Sequence, residues 1–89
     1  MFNVNLHREP HGIQDTIEVE VLKLEDERFL KRNRIQVDII DKIFEIVLVA
    51  RLSDSREVSV RKGNLSVKDA FSELVTLCKK LLDKPVMVH

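Results

Sequence analysis

Few residues in this chain are of a type and spacing that could carry chemistry. His7 and His11 flank Glu9 and Pro10, and together they could offer nitrogen and oxygen ligands to a metal. A structural zinc site needs four convergent ligands, however, and the single cysteine, Cys78, lies among Leu74, Val75, Leu81 and Leu82 at helical spacing. Loop histidines exposed to water are the better account. Cys78 would be a nucleophile only beside a base in a partly exposed, low-pKa setting, whereas a buried thiol behaves as a small inert hydrophobe. Carboxylates are plentiful at Glu18, Glu20, Glu25, Asp26 and Glu27. Acid and base catalysis needs a cleft that drives two of their pKa values apart, and a solvated acidic face explains them better. Gly63 stands alone, without the pattern of a phosphate-binding loop. The chain therefore reads as a non-enzyme without cofactor or metal.

The basic residues fall into groups with more promise. Arg28, Lys31, Arg32 and Arg34 form one, Lys79, Lys80 and Lys84 another, and Arg61 with Lys62 could extend either. Each could contact phosphate; each could equally be an ordinary surface group whose stem covers apolar area while its head stays in water. Net charge does not decide between these, because Lys plus Arg and Asp plus Glu number 15 each.

The elements that must position these side chains are legible in outline. Val67, Ala70, Phe71, Leu74, Cys78 and Leu81 recur at three- and four-residue spacing, which puts them on one face of a helix. Ser66 is placed as its N-cap with Asp69 three residues on, Asp69 and Glu73 fall early, Lys79, Lys80 and Lys84 fall late, and Pro85 stops it. Phe2, Val4 and Leu6 alternate with polar residues as a first strand, broken by Glu9-Pro10-His11-Gly12. Ile35, Val37 and Ile39 mark a second strand. Asp41-Lys42 then connects tightly to a long central strand from Ile43, with Phe44, Ile46, Leu48, Ala50 and Leu52 on one face and Val47 and Val49 on the other. After a turn at Ser53-Asp54-Ser55, Val58 and Val60 alternate in a further strand that ends at Lys62-Gly63-Asn64. The tail Val86 to His89 is either a short edge strand or unstructured.

Asp15 to Asn33 carries two signals at once. Thr16, Ile17, Val19 and Val21 are β-branched and favour a strand, while Lys23 to Asn33 is rich in helix formers and Asp15 with Glu18 could cap a helix. Strand and helix are equally supported. The fold class is α+β: one domain over residues 1–89, a two-layer sandwich with an antiparallel sheet of three to five strands, a long C-terminal amphipathic helix, and a second helix in the same layer if Asp15–Asn33 is helical. With 44% hydrophobic and 4% aromatic residues and no Trp or Tyr, its core must be built from Ile, Leu and Val. No apolar run is long enough to span a bilayer, no leader pattern is visible, and a single cysteine forms no internal disulfide, so the expected location is cytoplasmic.

With strand, strand and helix in place, VLVARLSDSREVSVRKGNLSVKDAFSELVTLCKKLLDK looks like the second half of the ribosome hibernation-promoting and ribosome-associated inhibitor family, and KLEDERFLKRNRIQVDI resembles that family's passage from first helix into second strand. The resemblance implies the order β-α-β-β-β-α, with Asp15 to Asn33 largely helical. It also implies that Lys23, Arg28, Lys31 and Arg32 on the first helix and Lys79, Lys80 and Lys84 on the second face ribosomal RNA, repressing translation by steric occlusion. The rival expectation is a protein-interaction or homodimeric assembly module that uses the sheet edge or the open sheet face, which zero net charge and scarce aromatics favour.

Overall fold

The computed structural model describes residues 1–9, 12–20 and 23–83. Its elements are β1 (Phe2–Arg8), β2 (Ile13–Val19), α1 (Leu24–Arg32), β3 (Gln36–Asp41), β4 (Glu45–Arg51), β5 (Glu57–Gly63) and α2 (Val67–Asp83). The strands form one five-stranded sheet in the order β2-β1-β3-β4-β5. Neighbours run antiparallel except β1 and β3, which are parallel, with Leu6 opposite Ile39. The sheet is thus mixed where an antiparallel one was expected. The reason is β2, which runs back along β1 and ends with Val19 opposite Phe2, so that α1 has only to carry the chain past β1 for β3 to start in the direction of β1.

The ambiguous segment resolves into both of its readings. Ile13–Val19 is strand and only Leu24–Arg32 is helix, so the helix expected over Asp15 to Asn33 begins nine residues late. Ile17 and Val19 pair with Val4 and Phe2 of β1 and pack against the core, which a helix there would forgo. Asp15 caps no helix; its Oδ1 accepts the Thr16 amide at 2.9 Å.

One buried cluster joins the layers. Phe2, Val4 and Leu6 of β1, Val37 and Ile39 of β3, Ile46, Leu48 and Ala50 of β4, and Val60 of β5 meet Leu30 of α1 and Phe71, Leu74, Val75 and Cys78 of α2. Strand residues two apart share this face, and the helical residues recur at three and four, so two periodicities converge on one core. Each fully buried Leu or Phe contributes about 1.5–3 kcal/mol over its exposed state.

The β3–β4 connection differs from the expected one. β3 continues through Asp41, which pairs with Ile46, and the Lys42 amide donates to the Glu45 carbonyl at 2.9 Å, so Ile43 and Phe44 form the bend. Phe44, expected on the core face, is 88% exposed, and Ile43 is 67% exposed. Alternation fails there because the chain has already left the strand. At the entry to α2, Ser66 sits at the N-cap position through its main chain: its amide donates to Gly63 and its carbonyl accepts the Ala70 amide, both at 2.9 Å. Pro10, His11, Lys84, Pro85 and the tail from Val86 to His89 lie outside the described residues. Among the described residues, no helix is long and apolar enough to cross a membrane.

Candidate nucleic-acid interface

Helix α1 is built from LEDERFLKR, and its orientation decides what each charge does. Leu30 is fully buried, Phe29 packs at the core margin, and Asp26 and Glu27 are buried at 6% and 8% exposure. Two carboxylates at the start of a helix complement its dipole, but burial requires partners as well. Asp26 finds Lys79 of α2 at 3.6 Å, and the same ammonium stands 5.4 Å from the centre of the Phe29 ring. Glu27 pairs with the Met1 amine and with Lys31 at 3.3 Å. The Met1 ammonium first, then Lys31, holds the Glu27 carboxyl below the usual carboxylate range against the opposing effect of burial.

With those acids turned inward, the outer side of α1 presents Arg28, Lys31 and Arg32, all exposed, and Glu25 as its exposed carboxylate. Positions 28, 31 and 32 are neighbours on a helix surface. Among the described residues, Arg28 and Arg32 have no carboxylate within ion-pair distance. Lys23 stands exposed at the N-cap. On α2, Lys79 is engaged by Asp26 and Phe29, whereas Lys80, like Lys68 near the start of the helix, is exposed and has no such partner among the described residues. The structure therefore brings Arg28, Lys31 and Arg32 together, puts Lys79 at the junction of the two helices, and leaves Lys84 outside the described residues. Arg61 lies on the open face of the sheet opposite Val47, and Lys62 pairs with Glu73 at 2.8 Å, so neither joins the α1 stripe.

The other side of the sheet is polar at its β2 end. Thr16 Oγ1 donates to Asn5 Oδ1 at 3.4 Å, Asn5 Nδ2 donates to Asp38 Oδ1 at 3.1 Å, and His7 Nε2 is 3.9 Å from Asp38 Oδ2. His7 thus faces Asp38 across the sheet. Among the described residues, no three His, Cys, Asp or Glu side chains converge as a metal site would need. Cys78 is fully buried, and burial pushes its thiol pKa up to about 11.

Three features escaped the pattern reading. Arg56, next to the expected turn, donates from Nη1 to the Leu81 carbonyl at 3.1 Å while its Nε meets Asp54 at 2.6 Å, tying the β4–β5 turn to the end of α2. Arg34 and Ser55 have φ of 54° and 74°, in the left-handed region. Ile43, Phe44 and Leu65 are exposed at 67%, 88% and 96%, and Asn64 Nδ2 reaches the Ile43 carbonyl at 3.3 Å, so the two apolar loops meet at one end of the sheet. A Phe at a hairpin tip was the available signal for the last. The other two depend on backbone geometry. Compared with known proteins, the chain matches no family model, no curated protein and no solved structure.

Proposed function

We propose that the protein binds structured RNA through the outer face of α1, most concretely the small ribosomal subunit, and acts in translation by occluding the channel that tRNA and mRNA use. The observation that carries this reading is the sorting of charge on α1: Asp26 and Glu27 are buried and paired, while Arg28, Lys31 and Arg32 stand exposed on one stripe. Once β2 is set aside, the elements follow the order β-α-β-β-β-α that the family resemblance implies. The mode is phosphate contact without chemistry, and scarce aromatics limit stacking on bases.

Co-sedimentation with ribosomes across a salt series tests it. Binding falls steeply with salt, because neutralised phosphates release counterions. Arg28→Ala/Arg32→Ala lowers affinity and flattens the slope of log K against log salt by about 2, roughly one per lost phosphate contact. Both side chains lie off the internal ion pairs, so the melting temperature holds. Lys79→Ala instead loosens the α1–α2 contact and lowers it. Ribosome binding that is insensitive to salt and to the double substitution would sink the proposal.

The exposed Ile43, Phe44 and Leu65 favour a second reading, a protein-interaction module. It takes precedence if the protein ignores RNA at low salt and Phe44→Ser converts a dimer to a monomer in light scattering.

A further inference from the structure

We propose that the depression where the α1–β3 loop meets the β4–β5 turn binds a phosphate monoester or free phosphate in its dianionic form. This site lies on the open face of the sheet and stands independently of the RNA reading. Its polar lining is Arg34, Gln36, Arg51, Ser53, Ser55 and Glu57. The strand register builds its floor, since Gln36 is opposite Arg51 and Arg51 opposite Glu57, a row of long polar side chains across three strands. Arg34 enters from the end of α1, and Ser53 and Ser55 enter from the turn.

Two independent backbone facts point at this depression. Arg34 ends α1 with its amide on the Lys31 carbonyl at 3.2 Å and the Ile35 amide on the Leu30 carbonyl at 3.0 Å, which places Arg34 at the left-handed position where glycine is the usual residue. Ser55 follows a turn closed by its amide on the Leu52 carbonyl at 3.0 Å, with the Leu52 amide on the Arg56 carbonyl at 2.8 Å. That is a three-residue hairpin loop whose left-handed position also favours glycine. Among the described residues these are the two non-glycine residues with positive φ, and both line the same depression. A guanidinium and a hydroxyl occupy positions where the backbone alone would be better served by no side chain. Strain retained at one spot marks a site.

The chemistry of the lining selects the ligand. A guanidinium fork matches the oxygens of phosphate, and serine hydroxyls can donate to them. Arg51 Nε already meets the Glu57 carboxylate at 3.2 Å, whereas Arg34 has no carboxylate within ion-pair distance among the described residues. A monocarboxylate would only replace what Glu57 supplies. A dianion can bridge both guanidiniums and outbid a single carboxylate, which favours a phosphate monoester over a diester.

The test is a titration of inorganic phosphate into the ¹⁵N-labelled protein, followed at the Ser53 and Ser55 amides and the Arg51 Nε–H, with acetate at equal ionic strength as control. Saturable shifts with phosphate and not acetate are expected. Arg34→Gly, which the backbone accepts, weakens binding by about tenfold or more, the loss of a charge-assisted contact; Glu57→Gln tightens it. Absence of saturable shifts, an equal response to acetate, or unchanged affinity in Arg34→Gly overturns the proposal. A 5′-phosphorylated RNA trinucleotide that binds more tightly than inorganic phosphate identifies a strand end as the source of the phosphate, and equal affinities identify a small phosphate. A 5′-hydroxyl trinucleotide that binds as well as the phosphorylated one overturns the monoester assignment.

Discussion

Replacing Arg34 and Ser55 by glycine should make this protein more stable, and the size of the gain follows from the backbone. An L-residue in the left-handed region lies about 1–2 kcal/mol above its preferred conformations. Glycine removes that strain but enlarges the entropy of the unfolded chain, which offsets roughly 0.4–1 kcal/mol. The net is about 0.5–1 kcal/mol at each site. Neither side chain makes a hydrogen bond or ion pair among the described residues that glycine would forfeit. For an 89-residue chain the entropy of unfolding is about 190 cal/mol/K, so each substitution raises the melting temperature by about 3–5 °C. Scanning calorimetry of both single variants and the double variant, at fixed salt and without phosphate, reads the effect directly. A melting temperature that falls for Arg34→Gly would refute the reasoning, because the arginine would then be stabilising α1 rather than straining it. A gain in stability together with loss of phosphate binding is the signature of a residue kept for its side chain.

Two further outcomes follow from the helix junctions. Arg56→Ala removes the bond to the Leu81 carbonyl and the clamp on Asp54, lowering stability by about 1 kcal/mol and exposing the last turn of α2 to faster hydrogen exchange; unchanged exchange there would discount the cap. The Arg56 amide first, and then its guanidinium, hold Asp54 below the usual carboxylate range, so the Asp54 side of this clamp is fully present above the ordinary Asp pKa and is lost as pH falls through the lowered value, while the bond to the Leu81 carbonyl persists. Cys78 titrates in the opposite sense. Its thiol pKa is raised to about 11 in the fold, so its contribution is complete below the ordinary thiol value of 9.0 and is lost as pH rises from there towards 11. Native protein should therefore resist a thiol reagent at neutral pH until it unfolds, and Cys78→Ala should remove the alkaline fall; rapid labelling of the native state would contradict the burial.

How much of this was legible in the sequence varies by element, for physical reasons. Helix α2 and strands β1, β3, β4 and β5 declare themselves because one periodicity runs through each. Asp15 to Asn33 carries strand and helix signals in succession rather than in competition, and the one local mark of the change, the break of alternation at Leu22 before the helix formers from Lys23, does not by itself rule out a helix that starts earlier. Phe44 has the right parity for the core, but a bend two residues later than expected turns it to solvent. Lys79 and Lys80 are chemically identical neighbours about 100° apart around α2. Which of them meets Asp26 is fixed only by where α1 lies. Arg34 and Ser55 are unremarkable in a sequence, since left-handed φ shows only in the backbone.

That last distinction bears on the balance of charge. Equal numbers of acids and bases suggest a chain with no preference for polyanions, yet the formal total weighs buried and exposed groups alike. Asp26 and Glu27 are buried and covered by the exposed Lys79, Lys31 and Met1 amine, so they present little negative charge to an approaching phosphate. Asp15, Glu18 and Glu20 lie on or beside β2 at one edge of the sheet, apart from the outer stripe of α1. Screening at physiological salt limits the reach of exposed charges to about 8 Å, so a ligand on that stripe responds to Arg28, Lys31 and Arg32 rather than to the molecular total. The reversal Glu27→Lys separates the two descriptions. If net charge governed, binding of RNA would rise as it does with any added lysine; if the sorting on α1 governs, a lysine buried against Lys31 loosens the helix, and both stability and RNA affinity fall together in a melting and co-sedimentation series.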